Sequence, residues 1–198
     1  MTQEEYISLA AGGDEEAFAV LVRDTEALVY NICLKIVLDR EDALDLSQES
    51  YLKAWHALPL YKGESSFRTW MGRIATNTCL DFLRKKNRKR KLSVVSLDAD
   101  LSLTVGSDEF DPHQVLVRSM EQEALQEAIL QLPENDRAIL TLRGSEELNY
   151  QEIAEIMELP VGTVKSRISR ARGKILRLLN GNQTDPLSSN KVKGGEET

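Results

Sequence analysis

The sequence predicts an all-α protein made of two small helical domains joined by a flexible acidic linker, the second containing a helix-turn-helix. Three observations predict this. Glycine and proline are sparse, at 11 and 5 of 198 residues, 41% of residues are apolar, and no strand-like alternation of Val, Ile and Thr persists anywhere. Apolar residues instead recur at intervals of three and four in several separate stretches, the period of a helix that buries one side. Residues 92–112, LSVVSLDADLSLTVGSDEFDP, hold five acids and several serines without a sustained helical period, a composition that suits a linker. Since domains typically run to roughly 100–150 residues, a chain of this length has room for two modest cores.

The first domain is expected over residues 1–91, its folded part starting near Glu4. Asp14 followed by EEAF reads as a helix start, with a short polar cap, acids in the first turn and then Phe18, Leu21 and Val22 at helical spacing. A second helix is expected through LVYNICLKIVL. A third is expected in REDALDLSQESYLKAWHAL, where Leu44, Tyr51, Leu52, Trp55 and Leu58 recur at threes and fours. Pro59 and Gly63 break the pattern in LPLYKGESS and leave one conspicuous loop, after which FRTWMGRIATNTCLDFLRKK restarts it.

The second domain is expected over residues 113–180, followed by a disordered tail at 181–198. Within it, Asn149 with Glu152 three residues later has the form of a capping box that opens NYQEIAEIM as a short helix, with Ile153, Ala154 and Ile156 or Met157 turned inward. Pro160 disfavours helical geometry at Leu159 and lacks a donor, so this helix stops there and the next one starts. At ~100° per residue, Val161, Val164, Ile168, Ala171 and Ile175 fall in one apolar stripe. Thr163, Ser166 and Arg170 face the other way, flanked by Lys165, Arg167 and Arg172.

Charge is distributed as unevenly as hydrophobicity. The formal net charge is −7, yet residues 68–91 carry 9 basic side chains against Asp81 alone, and residues 161–180 carry 6 with no acid. Residues 1–60 hold 4 basic and 12 acidic side chains, and residues 92–160 hold 3 and 15. Two positive helical islands in an acidic body suit nucleic acid, because the cations meet phosphates while the remainder discourages indiscriminate coating of DNA.

Other classes are disfavoured. MTQEEYISLAAGGDEE lacks the basic start and apolar run of a signal peptide and no stretch approaches ~18 apolar residues, so a cytoplasmic protein without membrane insertion is expected. Cys33 and Cys79 lie in apolar helical contexts and read as buried structural thiols. The two histidines, His56 and His113, are far apart, and neither a Gly-rich phosphate loop nor a metal-spaced cluster occurs, so no enzyme, metal or cofactor is expected.

A short helix, a tight turn and a second helix with polar residues near its N-terminus match the geometry that seats a recognition helix in the major groove. Lys165, Ser166 and Arg170, with Ser169, are the candidates for base edges, and the remaining cations position the helix on phosphates. An ordinary helical hairpin with a solvated basic face is the plain alternative. A stand-alone helix-turn-helix regulator is another, though it leaves RKKNRKRK and the aromatic loop unused.

LNYQEIAEIMELPVGTVKSRISRAR resembles the minus-35 reading module of bacterial sigma factors of the extracytoplasmic-function (ECF) group, within the sigma-70 family. Upstream, DLSQESYLKAWHALPLYKGESSFRTWMGRIATNTCLDFLRKK is similar to that group's D-x-x-Q-E-x-F, F-x-T-W and R-I-A-x-N series, and the likeness covers roughly residues 5–180. The resemblance implies a factor that binds core RNA polymerase and promoter DNA and is held inactive by an anti-sigma factor. It implies polymerase clamp-helix contacts at Asp45, Gln48 and Glu49. At the minus-10 element it implies that LPLYKGESS receives a base flipped from the nontemplate strand, Tyr61 stacking on it, Lys62 near phosphate and Ser65 or Ser66 hydrogen bonding, unless Tyr61 only caps the bundle. Arg68, Arg73 and Asn77 match strand-contacting positions, and Arg84, Lys85, Lys86 and Arg88 would follow the backbone, while Phe67 and Trp70 read as core. Leu125, Ile129, Leu132, Ile139 and Leu140 would form a groove for the polymerase flap tip or be plain core. The acidic linker would thread towards the polymerase active centre.

Overall fold

A computed structural model describes residues 1–92, 124–144 and 148–181. The linker at 92–112 beyond its first residue, His113 and the tail at 181–198 beyond its first residue lie outside the described residues. Every regular element described is helical: α1 (Gln3–Ala11), α2 (Glu15–Val37), α3 (Arg40–Ala57), a 3-10 turn (Leu58–Leu60), α4 (Phe67–Leu92), α5 (124–130), α6 (Glu134–Gly144), α7 (Tyr150–Met157) and α8 (Val161–Gly181).

Local chemistry fixes most of the helix ends. Thr2 and Glu5 form a reciprocal capping box that starts α1, a helix absent from the sequence expectation. Asp14 caps α2 as expected, its Oδ1 accepting from the Ala17 amide at 2.9 Å. The two helices expected between Asp14 and Leu38 are one, running unbroken for 23 residues. Its polar interruption is harmless because Thr25, 2% exposed, donates its hydroxyl to the Leu21 carbonyl at 2.8 Å. Leu38 then turns left-handed at φ 60° and Asp39 caps α3 through the Asp42 amide.

The face that α3 buries differs from the expected stripe. Ala43, Leu46, Ser50 and Ala54 are buried, whereas Leu44 and Leu52 are 49% and 63% exposed. Small residues on the inner side bring α3 close to α2 and α4, and this close approach turns the larger leucines outward.

Leu21, Leu28, Val29, Ile32 and Ile36 of α2 pack with Leu58, Phe67 and Met71. Each large apolar side chain taken fully out of water contributes roughly 1.5–3 kcal/mol. Cys33 and Cys79 are both buried, and their thiols interact across the α2 and α4 contact. That hydrogen bond, followed by burial, pushes the Cys79 thiol well up, which keeps it protonated and unreactive. The second group of helices packs directly on the first, α6 against α2 and α7 against α4, so the buried core continues through Ile139, Leu142, Ile153 and Ile156.

Candidate nucleic-acid interface

The helix-turn-helix is built by its caps. Asn149 Oδ1 accepts from the Glu152 amide at 3.0 Å while Glu152 Oε2 accepts from the Asn149 amide at 2.7 Å, the reciprocal box expected from sequence. Glu158, at φ 52°, reverses the chain after α7, and Pro160 leads into α8. Val164, Ile168 and Ala171 are buried and Val161 and Ile175 half-buried, so the apolar stripe points inward.

The opposite face of α8 is polar. Lys165, Ser166, Ser169, Arg170 and Arg172 are exposed, and Thr163 and Arg167 are half-buried. Ser166 Oγ donates to the Thr163 carbonyl at 2.9 Å and Arg170 Nε to the Ser166 carbonyl at 3.4 Å, so both side chains lie along the helix. The ring of Tyr150, at the start of α7, has the Lys165 ammonium 5.5 Å and the Arg143 guanidinium 5.0 Å from its centroid. Sequence reasoning missed Tyr150, although its place immediately after the cap, at the first position of the motif's first helix, was a usable signal.

The loop before α4 closes around an aromatic trio. Tyr61 lies 5.1 Å from Trp70 and 6.1 Å from Phe67 between ring centroids, and its hydroxyl donates to the Ser65 carbonyl. Phe67 is 2% exposed and is core, as expected, while Trp70 is half-buried. Ser66 spends its hydroxyl on the start of α4, accepting from the Thr69 amide at 3.1 Å. A cleft of about 470 Å³ opens beside this loop, lined by Tyr61, Lys62, Ser65, Trp70, Arg73 and, from α7, Glu155. Arg73 is half-buried, with its Nε buried and without a hydrogen-bond partner among the described residues.

Further along α4, Arg68, Asn77, Arg84, Lys85 and Arg88 are exposed. Arg84 pairs with Asp81 at 2.9 Å, and Lys86 reaches Asp42 of α3 at 2.8 Å. Asn87 donates to Glu134 at the start of α6, a contact that sequence reasoning did not foresee. The structure thus brings Tyr61, Lys62, Ser65 and Arg73 together at one cleft and lays the other cations out along one helix.

Asp45, Gln48 and Glu49 are exposed on α3, with Glu49 paired to Lys53 at 2.7 Å. Gln48 and the exposed Leu44 line a groove between α2 and α3 together with Arg23, Tyr30 and Tyr51. In the second unit Leu132 and Ile139 are buried, Ile129 and Leu140 half-buried, and Leu125 is 41% exposed. Among the described residues no group of three or more His, Cys, Asp or Glu side chains could hold a metal ion.

Residues 21–89 match the family described as Sigma-70 region 2, and residues 122–175 match Sigma-70, region 4. The chain is 36% identical to the RNA polymerase sigma-H factor of Pseudomonas aeruginosa over 90% of this chain and 96% of that one. It is 35% identical to the ECF RNA polymerase sigma-E factor of Haemophilus influenzae, covering 88% of this chain and 94% of the relative. In fold it resembles the sigma factor RpoE solved in complex with the anti-sigma factor NepR from Bartonella quintana, with a TM-score of 0.66 at 22% identity, covering 82% and 96% of the two chains.

Proposed function

Because the chain belongs to the ECF group of the sigma-70 family and so directs promoter-specific transcription initiation, we propose that it divides promoter recognition between its two helical units. The unit of α5 to α8 reads the minus-35 element as duplex, and the unit of α1 to α4 melts and holds the minus-10 nontemplate strand. The observation that carries this reading is the two-sidedness of α8: Val164, Ile168 and Ala171 are buried while Lys165, Ser166, Ser169, Arg170 and Arg172 face solvent on one helix. Arg170, Lys165 and Ser166 meet base edges, and Thr163, Ser169, Arg167 and Arg172 complete the contact with the groove and its phosphates.

Strand opening needs a receptor for an unstacked base, and stacking on an aromatic ring is worth ~1–3 kcal/mol. The cleft bounded by Tyr61, Trp70 and Arg73 supports that role, with Lys62 and Ser65 on its wall. Arg68, Asn77, Arg84 and Lys85 hold the strand alongside, and Ser66 sets the start of α4 beneath the loop. Asp45, Gln48 and Glu49 dock on the polymerase clamp helices, and the apolar residues of α5 and α6 meet the flap tip. An anti-sigma protein is the proposed inhibitor. Polymerisation belongs to the partner enzyme, this chain supplies no catalytic group, and it works in the cytoplasm beside that enzyme.

Transcription with purified bacterial core enzyme on a promoter library tests the assignment. Initiation should cluster at promoters sharing one minus-35 and one minus-10 sequence. Arg170→Ala should lower initiation about tenfold at promoters with the minus-35 match, in keeping with ~1–3 kcal/mol for a base-edge contact, and far less at promoters without it. Equal loss on both sets would remove Arg170 from base readout.

A further inference from the structure

Tyr150 carries no role in the promoter reading above, yet two cations of the helix-turn-helix unit converge on its ring. It opens α7, and its half-buried body packs against the core, which fixes the ring in place. The Lys165 ammonium stands over that ring, 5.5 Å from its centroid, and the Arg143 guanidinium stands 5.0 Å from it. Arg143, in the last turn of α6, is pinned in turn, its Nη1 donating to the Leu148 carbonyl at 3.1 Å. Three helices, α6, α7 and α8, each contribute one side chain to this cluster.

Lys165 needs such a support more than its neighbours do. Ser166 Oγ donates to the Thr163 carbonyl and Arg170 Nε to the Ser166 carbonyl, so both are steered by the backbone of α8 itself. A lysine ends a flexible four-carbon stem in a point charge with three rotatable donors, without the planar fork that gives arginine its direction. Such a group meets a phosphate from many orientations, whereas a base edge rewards it in few. An aromatic face attracts the ammonium through its quadrupole and narrows the orientations that the stem adopts.

We propose that Tyr150 is a positioning residue for minus-35 recognition: its ring aims the Lys165 ammonium at one base pair and so sets how sharply that pair is read. The inference rests on the assignment of Lys165 to a base edge. In this role the aromatic face of Tyr150 is what counts and its hydroxyl is dispensable. A lysine released from the ring still finds phosphate, so affinity is largely kept while discrimination is lost.

The test uses holoenzyme assembled from the full chain and bacterial core polymerase, on a promoter library randomised across the minus-35 element. Lys165→Ala first locates the base pair, as the position where preference disappears. Tyr150→Leu should lower preference at that same position about threefold, the factor a cation–π contact supplies, and leave preferences at the other minus-35 positions and at minus-10 as in the parent. Tyr150→Phe keeps the ring and should read like the parent, and Tyr150→Leu should add nothing to Lys165→Ala. The salt slope of promoter binding should be the same in Tyr150→Leu as in the parent, since no phosphate contact is lost. In NMR spectra of the free chain the ring should shift the ε-methylene protons of Lys165 upfield, a reading of the contact that stands even if Tyr150→Leu fails to fold. Absence of that shift, or unchanged preference at the Lys165 position in Tyr150→Leu, would overturn the proposal. So would an even loss across all promoters, shared by Tyr150→Phe and with the slope reduced by about 1, which would assign the hydroxyl to a phosphate instead. If Lys165→Ala erased no preference, the assignment of Lys165 to a base edge would fall and the proposal with it.

Discussion

Tyr51 stands where the ECF pattern carries Phe, and its hydroxyl is held inside the first unit. It lies 3.1 Å from Thr25 Oγ1 and 3.4 Å from the Val22 carbonyl, tying α3 to the middle of α2. Burial pushes its phenol up to about 12 from an ordinary 10, with the Thr25 hydrogen bond working the other way. A group whose folded pKa lies above its unfolded value binds its proton more tightly when folded. Its contribution to stability is therefore complete below about pH 10 and is lost as pH rises towards about 12. Urea midpoints measured from pH 7 to pH 12 should fall across that window, and Tyr51→Phe should flatten that part of the fall. At neutral pH the same variant should cost about 1 kcal/mol, the usual net worth of a hydrogen bond. An unchanged alkaline slope in the variant would mean that other phenols account for it.

Helix ends were the part of the fold most legible in the sequence, because a cap is a short-range device whose partners lie three residues apart. Asn149 and Glu152 illustrate it: the pattern predicted a reciprocal box, and both hydrogen bonds are present. Asn149→Ala removes the acceptor for the Gln151 and Glu152 amides and should lower stability by about 1 kcal/mol in urea unfolding, with Asn149→Asp retaining most of it. A loss confined to a few tenths would show that α7 is held by its packing on α4 rather than by its cap. The core side of α3 was less legible, since Leu44 and Leu52 have the right period and the right chemistry for burial. What decides between them and the smaller Ala43, Ser50 and Ala54 is how near α2 and α4 come, a tertiary fact that no window of one helix contains. The seat of Ile156 at Gly72 was unreadable for the same reason, as the two residues lie 84 positions apart in the sequence. The candidate site divided along this line too: α8 could be read from its own stripe, whereas Glu155 entered the Tyr61 cleft only once α7 was laid on α4.

At the scale of the whole molecule, the positive islands have to act on DNA from within a chain of net charge −7. Each phosphate neutralised contributes about −0.9 to the slope of log K against log salt on duplex and about −0.7 on a single strand. Exposed cations stand on both α8 and α4, where Arg68, Arg84, Lys85 and Arg88 face solvent. Four cations of α8 are exposed, Lys165, Arg170, Arg172 and Arg177, so α8 alone should give a slope of no more than about −3.6. If α4 also contacts the promoter in the holoenzyme, its cations add to those of α8, and promoter binding by holoenzyme should be steeper by several contacts than α8 alone gives. Linking two weak sites on one DNA also raises their effective concentration for each other, so affinity should rise beyond either unit alone. Lys85→Ala should weaken holoenzyme binding evenly across promoters and reduce the slope by about 1, unlike Arg170→Ala, whose effect depends on the minus-35 sequence. Filter binding or fluorescence anisotropy between 50 and 300 mM salt reads both quantities. Equal slopes with and without core enzyme, or tight sequence-specific duplex binding by the free chain, would mean that α4 contributes no phosphate contacts and that α8 works alone.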